Sequence, residues 1–403
     1  MTDARADTLV ALAAERDRFV RRLSETCLPW WAAHGVDHLH GGFFERIDAD
    51  GRPTDEPRRT RLVARQIYVF AQSRRFGWTD AAEADSIVDH GLDFLEHRCL
   101  TAAGTVHTTV PADGTPAAPS FDLYDHAFAL FALAEVARIR PDDARVRRLG
   151  PRIRDVLVAG WRHPIAGFER ARPRALPLEA NPHMHLLEAF LAWSEVAPDD
   201  PAWAARVDDV AALALDRLIA PATGALGEYW DGDWRPMAVG GRLSVEPGHQ
   251  FEWAWLLARR AAATGDDRPL AAARRLVEIG ESRGVDPVRD LAIAVLDGDL
   301  AVVDPVMRLW PQTERLKAHL ALADASVDAA DAAAHAALAL RAARGIARFL
   351  DHPRPGLWWD LMAADGRFST EPTRASSLYH VVCAVIELDA RLARAGSTAA
   401  PRP

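Results

Sequence analysis

The sequence predicts an all-α fold of six helical hairpins, and two observations carry this prediction. Most of the 403 residues lie in stretches whose apolar residues recur every three or four positions, as they do in amphipathic helices. In addition, basic or aromatic residues recur at the heads of six apolar stretches, with gaps of 61, 59, 64, 61 and 70 residues. These six residues are Arg65, His126, His185, His249, Trp310 and His380. A gap of about 60 residues accommodates two helices and two connections.

If the hairpins close into a ring, one helix of each pair lines the inside and the six residues meet at one mouth. The helical pattern is clearest at 82–97, 125–139, 185–196, 203–218, 251–264, 268–281, 287–297, 327–349 and 376–394. Clusters of Pro, Gly and Asp separate the helical stretches at 141–143, 198–200 and 265–267. Strand-like pieces at 42–47, 167–169 and 356–360 predict short β-hairpins over the mouth.

The composition and the order of the predicted elements argue against several fold classes and kinds of partner. Strands and helices do not alternate and no Gly-rich phosphate loop occurs, which argues against a Rossmann fold or a TIM barrel. We expect one domain over 1–395 and a frayed tail over 396–403. The net charge of −9 disfavours nucleic-acid and membrane partners, which require clustered positive charge.

The cellular setting follows from cysteines and hydropathy. Cys27, Cys99 and Cys383 lie far apart without paired spacing, which suits a reducing compartment. The N-terminal segment lacks an apolar signal core, and no stretch approaches the roughly 18 apolar residues of a membrane span. We therefore expect a soluble cytoplasmic protein, either a monomer or a homodimer. Lys317 is the only lysine, so Schiff-base catalysis has a single candidate nucleophile.

His249 and Glu252 form the first candidate constellation. They are three residues apart after a Pro-Gly turn and share a face of the predicted helix. A carboxylate beside an imidazole raises the pKa of the ring and orients it for proton transfer near neutral pH. The alternative is a structural His–Glu pair at a helix start.

His185 and Glu188 repeat this spacing, and Asn181 lies one turn earlier. Asn181 and His185 can present hydrogen bonds to adjacent hydroxyls of a sugar. His183-x-His185 is half of a metal site at most, because the carboxylates and a third ligand lack suitable spacing. We expect neither a metal nor a cofactor.

His380 stands alone on an apolar stretch, where a buried core histidine is the alternative. Its regular place in the repeat favours a functional role. Thirteen tryptophans are present, several of them near the expected mouth. Tryptophan fills helical cores, but beside histidines and arginines it favours a polar, ring-shaped ligand such as a sugar.

Six segments together resemble the N-acylglucosamine 2-epimerase family, whose members are (α/α)6 barrels. They are Trp31 to Phe44 with Asp48-x-Asp50-Gly51, Arg65-Gln66-x-Tyr68-x-Phe70-Ala71, Leu123 to Phe128, Asn181 to His185, Gly248-His249-x-Phe251-Glu252-Trp253, and Leu378-Tyr379-His380. The resemblance covers nearly the whole chain. Two further segments, 308–314 and 372–377, resemble the mannose-isomerase branch more than the cellobiose 2-epimerases.

The resemblance implies roles for individual residues. His249 and His380 match the two catalytic histidines, Glu252 the carboxylate that supports the first, and Arg65 the cation near O1 and O2 of the substrate. Asn181 and His185 match substrate-binding positions, and Tyr124 and Trp310 match pocket-lining ones. We add His126 for its place in the repeat and Glu188 for its pairing with His185.

The implied reaction is the interconversion of D-mannose and D-fructose, or of lyxose and xylulose, through a cis-enediol. A 2-epimerase of mannose/glucose, a cellobiose-type disaccharide or N-acylglucosamine is the alternative within the family, because both reactions share the intermediate. A glycoside hydrolase on the same barrel requires two opposed carboxylic acids, for which Asp125, Glu252 and Asp360 are candidates. A non-catalytic sugar binder and an enzyme acting on sugar phosphates also remain open.

Overall fold

The computed structural model describes residues 2–113, 115, 117–118 and 120–399. Within these residues thirteen helices form an inner and an outer ring. In chain order they are α1 (Thr2–Arg22), α2 (Leu28–His34), α3 (Thr60–Arg75), α4 (Ala81–Phe94), α5 (Leu123–Ile139), α6 (Ala144–Gly160), α7 (Ala180–Val196), α8 (Pro201–Leu213), α9 (Pro247–Thr264), α10 (Asp267–Gly284), α11 (Leu309–Ala325), α12 (Ala329–Leu350) and α13 (Ser377–Ala399). Short π-helical turns follow α1, α4 and α8.

The inner ring consists of α3, α5, α7, α9, α11 and α13, each the second helix of a hairpin. Each inner helix contacts the next, and α13 closes the ring against α3. In α5 every residue from Asp125 to Val136 is buried, as expected for a helix that is enclosed on all sides. The predicted all-α ring of six hairpins is confirmed.

Aspartates begin the outer helices. The side chains of Asp80, Asp143, Asp200, Asp266 and Asp328 each accept a hydrogen bond from a backbone N–H in the first turn of α4, α6, α8, α10 or α12. An N-cap of this kind stabilises a helix by about 1 kcal/mol. Three of these caps lie in the Pro/Gly/Asp clusters that separate the predicted helices.

Eleven strands lie between the helices of the described chain. They are β1 (Arg46–Ile47), β2 (Arg58–Arg59), β3 (Thr109–Val110), β4 (Leu178–Glu179), β5 (Tyr229–Trp230), β6 (Ser244–Val245), β7 (Val285–Asp286), β8 (Leu291–Asp297), β9 (Val302–Arg308), β10 (Leu361–Met362) and β11 (Thr373–Arg374). β1–β11, β2–β3 and β4–β5 form antiparallel pairs, whereas β10-β9-β8-β6 form a sheet to which β7 adds through β8. Strands β2, β4 and β9 lead directly into inner helices, so they surround the mouth of the ring.

The prediction of a helix at 287–297 is wrong, because this segment contains the turn that follows β7 and then strand β8. The run Leu291–Asp297 is short and apolar, and such a run fits a buried strand as well as a helix. Pairing with β9 decides for the strand. The predicted strand at 356–360 is also displaced, since β10 begins at Leu361. Segments 42–47 and 167–169 do contain short β-pairings.

No helix among the described residues is long and apolar enough to cross a membrane. Helix α13 extends to Ala399, so part of the segment predicted to be a frayed tail is helical, and residues 400–403 lie outside the described residues.

Candidate active site

A cavity of about 230 Å³ opens at the N-terminal ends of the inner helices. It brings together eight of the ten predicted site residues, and His126 and Glu188 are the two that it leaves out. The lining residues are Arg65, Tyr124, Asn181, His185, Glu246, His249, Glu252, Arg308, Trp310, Asp360, Leu361, Glu371, Arg374, Ser376, Ser377 and His380.

His249 is oriented by a carboxylate that the sequence did not indicate. Its Nδ1–H donates to Oε2 of Glu228 at 2.9 Å, and Oε2 of Glu246 lies 3.7 Å from the same nitrogen. Burial alone favours the neutral ring, but the charges of Glu228 and Glu246 outweigh it and raise the pKa of His249 to about 10. Glu252, predicted to support His249, makes no hydrogen bond to that ring and adds only to the charges that raise its pKa, whereas Glu228 accepts the Nδ1–H.

His380 also contacts a glutamate through Nδ1, but its pKa is shifted in the opposite direction. Its Nδ1 lies 2.9 Å from Oε1 of Glu314, and Oε2 of Glu314 lies 2.6 Å from Nζ of Lys317. Burial, followed by the nearby charges of Arg65 and Lys317, lowers the pKa of His380 well below its usual value. His380 is therefore a neutral imidazole at neutral pH, whereas His249 is an imidazolium.

Trp310 lies close to both histidines. Its ring centroid is 5.1 Å from that of His249 and 5.8 Å from that of His380. No residue of the described chain hydrogen-bonds to Nε2 of either histidine, so both of these nitrogens remain available to a ligand in the cavity. Two titratable groups whose surroundings drive their pKa values apart are the usual signature of an acid and a base.

Arg65 supplies a positive charge without a carboxylate partner. Its Nη2 donates to the hydroxyl of Tyr124 at 2.9 Å, and its guanidinium lies 4.2 Å above the ring of Phe128. Among the described residues no carboxylate lies within ion-pair distance of Arg65. An unneutralised guanidinium at a cavity wall is suited to stabilise negative charge on a bound molecule.

His185 stands over a pair of buried carboxyl groups. Nδ1 of His185 lies 3.2 Å from Oε2 of Glu188 and 3.7 Å from Oε1 of Glu252. Glu188 also accepts the hydroxyl of Tyr379 at 2.5 Å, so it holds His185 from behind the cavity and does not reach it. Burial and the charge of Glu314 raise the pKa of Glu252 well above its usual value.

The structure does not bring His126 to the cavity. The backbone N–H of Val106 donates to its Nε2 at 2.9 Å, and its Nδ1–H donates to the carbonyl oxygen of Asp122 at 2.8 Å. The fourth residues of α5, α7, α9 and α11 all fasten a loop or strand backbone in this way. They are His126, His183, Gln250 and Gln312. His126 is thus the counterpart of His183 and not of His185.

His183 therefore faces away from His185, and no chelate forms between them. Three groups of His and Glu side chains do have potential ligand atoms within 4.8 Å of one another in the described chain. They are His185–Glu188–Glu252, Glu228–Glu246–His249 and Glu252–Glu314–His380. In each group a histidine Nδ1 is already hydrogen-bonded to a glutamate, a bond that metal binding at that nitrogen has to break. A metal-free site remains a prediction.

The only lysine does not act as an accessible nucleophile. Lys317 is fully buried, does not line the cavity and is paired with Glu314, whose charge favours the ammonium form. Sequence reasoning also missed Glu228, Glu314 and Arg308 as members of the site. Glu228 and Glu314 are 21 and 66 residues from the histidines that they contact, so no local spacing indicates these pairs.

Comparison with known proteins decides the family. The family model described as N-acylglucosamine 2-epimerase matches residues 42–384. The chain belongs to the N-acylglucosamine 2-epimerase family. A protein of Rhizobium meliloti (strain 1021) named mannose-6-phosphate isomerase is 44% identical over 374 residues, which cover 92% of this chain and 96% of that protein.

More distant members of the N-acylglucosamine 2-epimerase family agree in fold and length. A D-mannose isomerase of Thermobifida fusca is 27% identical over 323 residues, covering 73% of this chain and 76% of that protein. The solved cellobiose 2-epimerase of Spirochaeta thermophila DSM 6192 superposes with a TM-score of 0.82 at 23% identity, over 95% of this chain and 98% of that one. The chain is therefore a sugar isomerase or epimerase of this family, and the predicted resemblance is confirmed.

Proposed function

We propose that the protein interconverts D-mannose and D-fructose, or closely related sugars such as lyxose and xylulose, through a cis-enediolate. The observation that carries the proposal is a neutral and a protonated histidine that both lie close to Trp310 in one cavity. Their free Nε2 atoms face a space that also contains an unneutralised guanidinium, Arg65.

The first half of the reaction removes the C2 proton of the open-chain aldose. Neutral His380 takes this proton through Nε2, and the electrons of the C–H bond form the C1–C2 double bond while the carbonyl oxygen O1 becomes negative. Arg65 stabilises that oxygen, and the imidazolium of His249 supplies a proton to it. The product of this half is the cis-enediol.

In the second half His249 takes the proton from the O2 hydroxyl, which becomes the ketose carbonyl. His380 then returns a proton to C1, and both histidines regain their starting charge. Asn181 and His185 bind the remaining hydroxyls in this proposal. A 2-epimerase forms the same enediolate but returns the proton to the opposite face of C2, so the residue set is compatible with both outcomes.

The isomerase outcome is favoured by the relatives, because those at 44% and 27% identity are both named as isomerases of mannose or its phosphate. The first of these names makes mannose 6-phosphate a second candidate substrate. Arg308 lines the cavity without a carboxylate within ion-pair distance in the described chain, which suits a phosphate. Glu246, Asp360 and Glu371 line the same cavity and repel one, so we prefer the free sugar.

The test is NMR of candidate sugars incubated with the enzyme in D2O. Mannose is expected to yield fructose with deuterium at C1, since the proton on His380 exchanges with solvent in competition with delivery. Glucose labelled at C2 as the dominant early product contradicts the isomerase. Turnover of mannose 6-phosphate alone rejects the free-sugar substrate, and turnover only of disaccharides or N-acyl sugars rejects both mannose substrates.

A further inference from the structure

Lys317 lies in α11 two turns beyond Trp310, in a fully buried position. Its Nζ is 2.6 Å from Oε2 of Glu314, 3.7 Å from Sγ of Cys383 and 3.7 Å from the ring centroid of Trp255. Three inner helices, α9, α11 and α13, therefore enclose this ammonium. Glu314 in turn contacts Nδ1 of His380 through its other oxygen, at 2.9 Å.

Stability does not account for this buried ion pair. Two charges lose their hydration on burial, and replacing such a pair by apolar residues of similar volume is often neutral or stabilising. Among the 48 lysine and arginine residues of the chain, Lys317 is the only lysine and all the others are arginine. A lysine ammonium is a compact point charge, whereas a guanidinium is a wide planar fork, so the two are not interchangeable at a buried site.

We propose that Lys317 is a positioning residue for His380: its ammonium holds one carboxylate oxygen of Glu314, so that the other oxygen accepts the Nδ1–H of His380 and Nε2 is left free to accept the substrate proton. This inference rests on the proposed role of His380 as the base. It deepens that role by naming the group on which the required tautomer depends.

Several charged or titratable groups surround His380. Those that face it come from four other inner helices and from α13 itself: Arg65 of α3, His185 and Glu188 of α7, His249 and Glu252 of α9, Glu314 and Lys317 of α11, and Tyr379 of α13. Without Lys317, Oε2 of Glu314 has no cation in contact among the described residues, and the orientation of this carboxylate toward Nδ1 of His380 is less firmly held.

A carboxylate that turns away from Nδ1 no longer selects the Nδ1–H tautomer of His380, and the neutral ring then carries its single proton on Nε2. A ring in that tautomer cannot take the C2 proton. Loss of the Lys317 charge also raises the pKa of His380, because this ammonium is one of the charges that lower it. The raised pKa leaves His380 protonated at low pH, where it cannot act as a base, and this effect is relieved at high pH.

Kinetics test the proposal with Lys317→Met, Glu314→Gln and the double variant. Lys317→Met is expected to lower kcat by about 10- to 100-fold, as loss of a group that orients a catalytic histidine does, with KM little changed. Its acidic limb of kcat/KM is expected to move to higher pH by about one unit, a shift that a purely structural role does not produce. In the Glu314→Gln background, Lys317→Met is expected to have little further effect.

Arg154→Met is the matched control. Arg154 is also an ion-paired, nearly buried cation above an indole ring, that of Trp203 at 4.3 Å, but it lies on the outer helix α6. It is expected to lower thermal stability without moving the pH profile. Should Lys317→Met not fold, the double variant, which buries no unpaired charge, keeps the comparison with Glu314→Gln available.

Nitrogen-15 NMR of histidine-labelled protein tests the tautomer without any substrate. With the His380 signals assigned by their loss in His380→Asn, the wild type is expected to show the Nδ1–H form and Lys317→Met the Nε2–H form. The Nδ1–H form in both proteins, or kcat and pH profile unchanged in Lys317→Met, overturns the inference. Failure of the wild type to turn over mannose instead rejects the proposed function and leaves the tautomer result standing on its own.

Discussion

The Nδ1–H of His249 donates to Oε2 of Glu228 across 2.9 Å, and this contact gives the cavity its protonated histidine. Glu228 immediately precedes β5, and its backbone N–H donates to the carbonyl oxygen of Ser244. The loop that carries the carboxylate is thereby fastened to the strand just before α9. Glu246, at the start of the same helix, adds a second negative charge.

Replacing Glu228 by glutamine should lower the upper pH limit of activity. The amide oxygen still accepts the Nδ1–H, but its negative charge is lost, so the pKa of His249 falls from about 10. An acid is lost as pH rises through its pKa, and the basic limb of kcat/KM therefore moves to lower pH. The measurement is the pH profile between 6 and 10.5, and an unmoved basic limb contradicts protonated His249 as the acid.

His380→Asn should lower kcat by roughly 10²- to 10⁴-fold, the usual contribution of positioned proton transfer. Exchange of the C2 proton with D2O should fall in parallel, because the same base starts both processes. Circular dichroism and the melting temperature control for folding. Near-wild-type turnover in a folded variant excludes His380 from the mechanism.

Arg65→Ala should reduce kcat more than it raises KM, since the charge matters most when O1 becomes negative. Arg65→Lys retains the charge but not the planar fork, so it should recover part of the activity. Steady-state kinetics on mannose measure both. A change confined to KM assigns Arg65 to ground-state binding only.

Activity should survive exhaustive chelation, because the proposed steps use only side chains. The assay is repeated after removal of the chelator and after addition of zinc, manganese or cobalt. Loss of activity that one of these ions restores assigns a metal to one of the three His/Glu groups around the cavity.

His126→Gln should retain both folding and kcat, since glutamine performs the same backbone fastening at positions 250 and 312. His126→Ala leaves the buried N–H of Val106 without its partner and should destabilise the protein by about 1–3 kcal/mol. Chemical denaturation measures the free energy of unfolding. A large loss of kcat in stable His126→Gln places His126 in the reaction after all.

Local sequence patterns were sufficient to predict the ring of helical hairpins and several of the residues at its mouth. Helical periodicity and the regular spacing of Arg65, His185, His249 and His380 depend on neighbours within one helix or on the repeat length, both of which are readable along the chain. The sequence alone therefore predicted the fold class, the family resemblance and eight of the sixteen residues that line the cavity.

The positions of the histidines within their helices, and the protonation states of His249 and His380, were decided only by the tertiary structure. His126 and His185 look equivalent in the repeat, yet they differ by two positions within their helices, and a helix turns about 200° over two residues. Segment 291–297 became a strand because β9 pairs with it. The protonation states of His249 and His380 depend on Glu228, Glu314 and Lys317, whose charges act through space across distant parts of the chain.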